Sequence, residues 1–404
     1  MAGWIGCKET PSFSLMLGFE NPEDKSLLTH VELYGSAAAE LSCAQLLKDA
    51  SALLANPGVH RSFDYPPRDP VVMPDMARDR ALFYAEGSNA QAARFLAGCT
   101  RFEDKPPDSD AWDIDFYYTE KCEDIAGLES VEVDELGPVQ GALRLVRRFG
   151  GSEIEQRIVI YADIPRIDFV TNVDWREKEK LLKVAFPVTI NSPTARYEIQ
   201  FGNIERPTHS STSWDFARFE VCGHKWADLS EGGYGVSLLN DCKYGYDIRE
   251  NVMRLTLLRA TIDPDPTADR GEHTFTYSLY PHQGDYASGG TVRAGYEMNV
   301  PLRTYLCSPD AGELPASVSM FRLDSDHVVL DTVKKSEADD SIILRFYEAH
   351  NKRGRVSLST DLLVEQAWEC DLVERNISQI DTTEGVISFD IAPFEIKTIK
   401  VAVN

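Results

Sequence analysis

From Arg101 onward one pattern repeats: a short run rich in Val, Ile, Leu, Tyr and Phe, a cluster of Gly, Pro, Asn or Asp, then another run. In SEIEQRIVIYAD (152–163), Ile154, Ile158 and Ile160 stand against Glu155 and Arg157. Successive side chains of an extended strand point to opposite faces, so such a run needs one buried and one solvated side. A helix would scatter the same residues around its axis. ESVEVDE (129–135), ALRLVRRF (142–149), RIDFVTNVDW (166–175), KLLKVAFPVTI (180–190) and YEIQFGNIERP (197–207) continue the series. With turn signals about every ten to fifteen residues, the pattern predicts a large antiparallel β-sandwich, or supersandwich.

The series breaks after His282. QGDYASGGTVRAGYEMNVPLRTYLCSPDAGELP reads as a loop-rich linker around one or two strands. A second series then begins: HVVLDTVKK (327–335), SIILRFYEAH (341–350), GRVSLST (354–360), AWECDLVER (367–375), GVISFDI (385–391) and EIKTIKVAV (395–403). It predicts a small C-terminal β-sandwich. Before Arg101 the chain differs. Apolar residues at 43, 46, 47, 50, 53 and 54 give Ser36–Asn56 a helical period that Pro57-Gly58 ends, and Asn89–Ala97 reads as a second helix. The chain is therefore mainly β, with a short irregular and partly helical N-terminal segment. Its divisions are 1–101 (unassigned), 102–285 (large sandwich), 286–317 (linker) and 318–404 (small sandwich).

A length of 404 residues suits two or three domains with buried cores. The formal net charge of −24 leaves no basic footprint for nucleic acid or an anionic membrane. No apolar run reaches the ~18 residues a membrane span needs, and MAGWIGCKETPSFSLM has neither the basic start nor the apolar core of a signal peptide. The eight cysteines show no CxxC spacing, which fits reduced thiols. Together these features predict a cytoplasmic protein.

Chemistry-bearing residues concentrate between Arg206 and His282, where Trp226-Ala227-Asp228, Gly232-Gly233 and Asp241-Cys242-Lys243-Tyr244-Gly245-Tyr246 punctuate the strands. Aromatic faces stack on the apolar side of a pyranose and charged groups fix its hydroxyls, so loops of this kind on a rigid sheet suit a sugar. Further upstream, AWDIDFYY puts Asp113, Asp115 and Tyr117 on one face of an extended segment and Trp112, Ile114 and Phe116 on the other, toward the core. The candidate substrate contacts are Asp113, Asp115, Tyr117, Asp241, Lys243, Tyr244, Tyr246 and Arg270. Plainer readings stand beside them: an acidic surface stripe at 113–115, and a packed corner at Tyr244-Gly245-Tyr246. Trp214 and Trp226 read as core. Arg259 reads as an ion-pair partner of Asp228 or Glu231. His209, His224, His273 and His282 read as structural partners of Asp215, Asp228 or Glu272.

The blocks HKWADLSE (224–231), GYGVSLLNDCKYGY (233–246), LTLLRA (255–260), ADRGEH (268–273) and YPH (280–282) are long and specific. With AWDIDFYY they resemble the C-terminal β-region of the α-mannosidases of glycoside hydrolase family 38, of the cytosolic and bacterial type. The likeness runs from near Phe102 to the C-terminus and omits residues 1–101. It implies a retaining glycosidase acting on terminal α-mannosides or oligosaccharides, in which two carboxylates do the chemistry and a zinc ion holds the sugar. In that family the zinc ligands and nucleophile lie on an N-terminal α/β barrel that opens with His-x-Asp. None of His30, His60, His209, His224, His273, His282, His327 or His350 begins that motif, and no HExxH or HxxxH spacing occurs. The expectation is therefore a fragment with no catalytic residue and no metal of its own, whose natural partner is the missing barrel. Three origins stay open for residues 1–101: a divergent remnant, an unrelated helical segment, or a truncated or frame-shifted gene, of which the last is favoured. The alternative from another class is a non-catalytic carbohydrate-binding β-protein.

Overall fold

The computed structural model describes residues 99–125, 128–305, 317–383 and 385–403, with the backbone of four earlier strands. Those strands, β1 (Gly3–Gly6), β2 (Phe13–Phe19), β3 (Leu28–Gly35) and β4 (Arg80–Ala81), form one antiparallel sheet in sequence order. They were missing from the sequence reading, which took this segment as irregular and partly helical. The helices expected at 36–56 and 89–97 lie outside the described residues.

By contact, the chain divides into two units: Met1–Tyr197 with Glu205–Pro301, and Glu198–Ile204 with Leu302–Asn404. The strands that follow in the first, apart from the β12–β13 tip Glu198–Ile204, are β5 (Cys99–Glu103), β6 (Cys122–Asp124), β7 (Leu128–Leu136), β8 (Gln140–Phe149), β9 (Ser152–Tyr161), β10 (Ile167–Trp175), β11 (Lys180–Pro187), β12 (Thr194–Ile199) and β13 (Gly202–Pro207). They continue with β14 (Val221–Cys222), β15 (Trp226–Ser230), β16 (Tyr234–Asn240), β17 (Gly245–Arg249), β18 (Val252–Arg259) and β19 (Gly271–Gln283). A nine-stranded sheet, β13-β12-β15-β16-β19-β10-β9-β8-β7, and a six-stranded sheet, β14-β17-β18-β11-β5-β6, are the two layers of the expected sandwich.

Alternation supplies the core between them. Phe169 and Tyr277 from the larger sheet stack at 5.0 Å, and Phe186 from the smaller packs on Phe169 at 5.5 Å. All three are buried. Burying a ring of this size stabilises by about 1.5–3 kcal/mol relative to leaving it in water. The run 197–207, read as one strand, is instead a hairpin of β12 and β13. Phe201 turns the chain there with a left-handed φ of 53°.

The second unit holds β20 (Phe321–Leu323), β21 (Val328–Lys335), β22 (Ile342–Glu348), β23 (Gly354–Thr360), β24 (Val364–Cys370), β25 (Asn376–Ile380), β26 (Thr382–Thr383), β27 (Val386–Ile391) and β28 (Ile396–Val403). Sheets β20-β23-β27-β26 and β21-β22-β28-β24-β25 enclose a core of Leu344, Phe346, Val356, Leu358, Phe389 and Ile399. The run 367–375 does not stay extended. Its strand ends at Cys370, where the Asp371 carboxylate accepts hydrogen bonds from the amides of Val373 (3.0 Å) and Arg375 (2.9 Å) and turns the chain.

Among the described residues two short α-helices interrupt the strands: α1 (Ser213–Phe216) and α2 (Thr291–Asn299). The second corrects the reading of 286–317 as a linker of loops and strands. Gly290, at φ 75°, turns the chain into it, and Val292, Ala294 and Gly295 are buried. Gly295 hides the helical period from a hydrophobicity count, because it packs by having no side chain. A Cβ there would stand 2.9 Å from Trp226 Cδ1. Among the described residues no helix is long and apolar enough to cross a membrane.

Candidate functional site

In β17, β18 and β11 the residues Tyr246, Ile248, Met253, Leu255, Val184 and Phe186 enter the core. Alternation therefore sends Asp247, Arg254 and Lys183 to the outer face of the six-stranded sheet. That face is covered. Lys183 is fully buried, with its ammonium in contact with Glu220 Oε1, 3.6 Å from Asp247 Oδ2 and 5.1 Å from the centre of the Tyr118 ring. Tyr118 donates to Glu220 Oε1 at 2.6 Å, and Arg254 Nη1 stands 3.2 Å from Asp247 Oδ2.

Lys183 and Arg254, with Arg249 Nε 4.0 Å from Asp247 Oδ1, thus face two carboxylates. Out of water such charges are tolerated only when paired. Burial pushes the Glu220 carboxyl up, against the pull of the Lys183 ammonium. Burial, then the negative charges of Glu220 and Asp247, pushes the Tyr118 phenol far above its ordinary value, so that it serves as a fixed donor.

The cover is the segment 104–120 with the loop that carries α1. Arg259 grips it through Asp104 (2.5 Å) and the Asp113 carbonyl (2.5 Å), while the Asp110 carboxylate accepts from the amides of Ile262 (2.7 Å) and Asp263 (2.8 Å). Arg259 therefore pairs with Asp104, not with Asp228 or Glu231. Asp228 is already engaged by His282, and the Glu231 carboxylate takes the Asn191 amide.

These clamps also overturn the extended reading of AWDIDFYY. The amides of Trp112 and Asp113 both turn back onto the Ser109 carbonyl, and Phe116–Glu120 is a 3-10 helix. Asp113, Asp115 and Tyr117 hence do not share one face of a strand. Tyr118 is the buried residue here, and Trp112 is 74% exposed rather than core. Phe116 bridges to Tyr117 (4.2 Å), Phe216 (5.0 Å) and Phe219 (6.4 Å). The result is an aromatic ridge, and Trp112 and Trp214, close to it in sequence, are exposed. Trp214 is 76% exposed, against the expectation of a core residue, because it rides on a single turn held by the Thr212–Asp215 capping box. Trp226 is in the core as expected, stacked at 5.6 Å on Tyr286.

The downstream candidates lie around the short edge strand β14. Val221 pairs with Tyr246, and the Gly223 amide donates to the Tyr244 carbonyl at 3.0 Å. Glu220, one residue earlier, reaches Lys183, so this strand joins the two candidate groups. Tyr244 is half exposed, 5.4 Å from the His224 ring. Lys243 lies over Phe275 at 4.5 Å, and Asp241 accepts from the Thr276 amide at 2.9 Å. Tyr246 is closed to solvent, donating to the His224 carbonyl (3.2 Å) and accepting from Asn240 Nδ2 (2.5 Å). It cannot stack on a ligand, and the packed-corner reading holds for its ring. Arg270 joins neither group; its guanidinium donates a long bond, 3.4 Å, to the Arg176 carbonyl. Sequence reasoning missed Lys183, Glu220, Asp247 and Arg254. The one signal was a lysine at a strand position opposite the core face.

Comparison with known proteins adds a further observation. Residues 87–267 match the glycosyl hydrolases family 38 C-terminal domain, and residues 327–399 match the family 38 C-terminal beta sandwich domain. The chain belongs to glycosyl hydrolase family 38. It is 40% identical over 306 residues to Alpha-mannosidase 2C1 of Mus musculus, covering 74% of this chain and 29% of that protein. To Alpha-mannosidase G of Dictyostelium discoideum it is 37% identical over 308 residues, covering 73% and 28%. The chain thus spans less than a third of these curated relatives. An α-mannosidase structure from Enterococcus faecalis V583 shares the fold, with a TM-score of 0.62 at 15% identity over 80% of this chain and 40% of that one.

Of the four histidines read as partners of acids, three make polar contacts, and His224 instead sets its ring 5.4 Å from that of Tyr244. His282 Nε2 lies 2.7 Å from Asp228 Oδ2, and His209 Nδ1 lies 3.7 Å from Asp215 Oδ2, both among the expected partners. His273 Nε2 meets the Asp269 carbonyl at 2.8 Å instead of Glu272. Among the described residues no three His, Cys, Asp or Glu side chains converge as a metal site. This donor set does not fit the zinc ion that the family resemblance implies.

Proposed function

We propose that this chain is the C-terminal, non-barrel part of an α-mannosidase that hydrolyses terminal α-mannosides with retention of configuration in the cytoplasm. The carrying observation is the 40% identity to Alpha-mannosidase 2C1 over 306 residues. The retaining reaction needs two carboxylates about 5 Å apart. On this reading they and the zinc belong to the N-terminal barrel of the complete enzyme, and this chain supplies one wall of the sugar cleft. Asp113, Asp115, Tyr117, Asp241, Lys243, Tyr244 and Arg270 are its proposed substrate-side groups, with Tyr246 holding the corner from beneath. The buried Lys183–Glu220 pair keeps the wall rigid by latching Tyr118.

The test is hydrolysis of an aryl α-mannoside by the 404-residue chain with zinc or cobalt added. Removing the nucleophile of a covalent catalyst costs on the order of 10⁶ in turnover, so the chain alone is expected to be nearly inactive. Robust hydrolysis would refute the assignment of the chemistry to the barrel. The exposed aromatic ridge supports a second reading, a carbohydrate-binding β-protein without catalysis. Calorimetric mannoside binding by the chain alone, weakened in W112A/W214A, would favour it.

A further inference from the structure

The first unit also carries an open cleft of about 760 Å³ that none of the candidate substrate contacts lines. Its walls are backbone-braced. The Thr208 amide donates to the Pro193 carbonyl (2.9 Å), the Glu250 amide to the Thr208 carbonyl (2.8 Å), and Asn251 Nδ2 to the Val188 carbonyl (2.7 Å). On one side the loop holding His209 is pinned by Arg249, which donates to the His209 carbonyl (3.2 Å) and Ser210 Oγ (2.8 Å). The cleft is therefore formed before any ligand arrives, which lowers the ordering cost of binding.

The lining chooses the ligand class. Its charged side chains are Glu231 and Glu250, with neither Lys nor Arg among them, so an anion is disfavoured. Glu231 spends one oxygen on the Asn191 amide at 3.0 Å, and Glu250 stands exposed at the β17–β18 turn. His209 also lines the cleft, but among the described residues it, Glu231 and Glu250 do not converge as a cation site. Carboxylate oxygens do accept pairs of hydroxyl groups well, and Ile190 and Pro193 offer an apolar surface for C–H faces. The volume lies in the range of small-molecule sites. We propose that this cleft binds a neutral saccharide, with Glu250 and Glu231 accepting its hydroxyls. Only the choice of sugar rests on the α-mannosidase reading.

The experiment titrates the deuterated, 15N-labelled full chain with a mannobiose and, separately, with maltose, following amide shifts. The expected result is saturable shifts at Asn191, Thr208, Glu231 and Asn251 with mannobiose. E250A should weaken the affinity roughly tenfold, as expected for losing a charge-assisted hydrogen bond, while keeping a folded spectrum. Saturable shifts with maltose alone would uphold the saccharide cleft and count against the mannoside reading. The absence of saturable shifts at these amides with either sugar would overturn the cleft while leaving the family membership untouched. An unchanged midpoint in both E250A and E231Q would overturn it as well.

Discussion

Lys183 shows how one residue escapes a strand pattern. Alternation in LLKVAF puts it opposite the core, yet Tyr118 and Glu220 cover it completely. K183M would leave Glu220 and Asp247 buried without their shared cation. The expected loss is about 3–5 kcal/mol in urea unfolding, and K183M/E220L should recover part of it. A loss within experimental error would mean that water reaches the cluster. The thiols give a second residue-scale expectation. Burial pushes Cys99 up to about 11. Cys122, Cys222 and Cys242 are exposed, but partial desolvation and the neighbouring Asp241 push Cys242 up to about 11. Thiolate is the reacting form. Mass-mapped alkylation near neutral pH should therefore label Cys122 and Cys222 first, Cys242 slowly, and Cys99 only on unfolding. Early labelling of Cys99 would contradict its place in the core.

Strands were the readable elements, because a period of two survives in any window with one buried face. Turns and helices were less so. Helix α2 hides its packing in Gly295, and 104–120 is bent by Arg259 and Asp110, whose partners are remote in sequence. G295A drives a methyl group into the Trp226 indole. A loss of about 1–3 kcal/mol is expected, read as a lowered thermal midpoint, and an unchanged midpoint would show that the indole yields. In the C-terminal unit the Lys400 ammonium holds Asp339 below the usual carboxylate range, Lys334 does the same for Glu374, and Arg322 for Asp361. A depressed folded-state value favours folding above the unfolded value near 4, and the contribution disappears as pH falls through the folded values. Thermal midpoints should thus drop between about pH 5 and 2, with a shallower slope in D339N. Identical slopes in D339N and the parent would remove Asp339 from the account.

Across the whole molecule, 65 acidic residues face 41 basic ones, for a net charge of −24. Screening this self-repulsion should raise the thermal midpoint as NaCl goes from about 10 mM to 0.2 M at neutral pH. A falling midpoint would show that the surface ion pairs outweigh it. At this scale the sequence by itself determined much. Its alternation set two β-sandwich units, and its conspicuous blocks set family 38 membership, since both are written in contiguous residues. It could not say which outward faces stay wet. Trp214 is exposed and Trp226 buried, Tyr244 half open and Tyr246 sealed, Arg259 bound to Asp104 rather than Asp228. Those outcomes were decided only by the tertiary structure, because covering a face takes segments distant in the chain, such as Tyr118 and Glu220 meeting over Lys183, and no local period encodes that meeting.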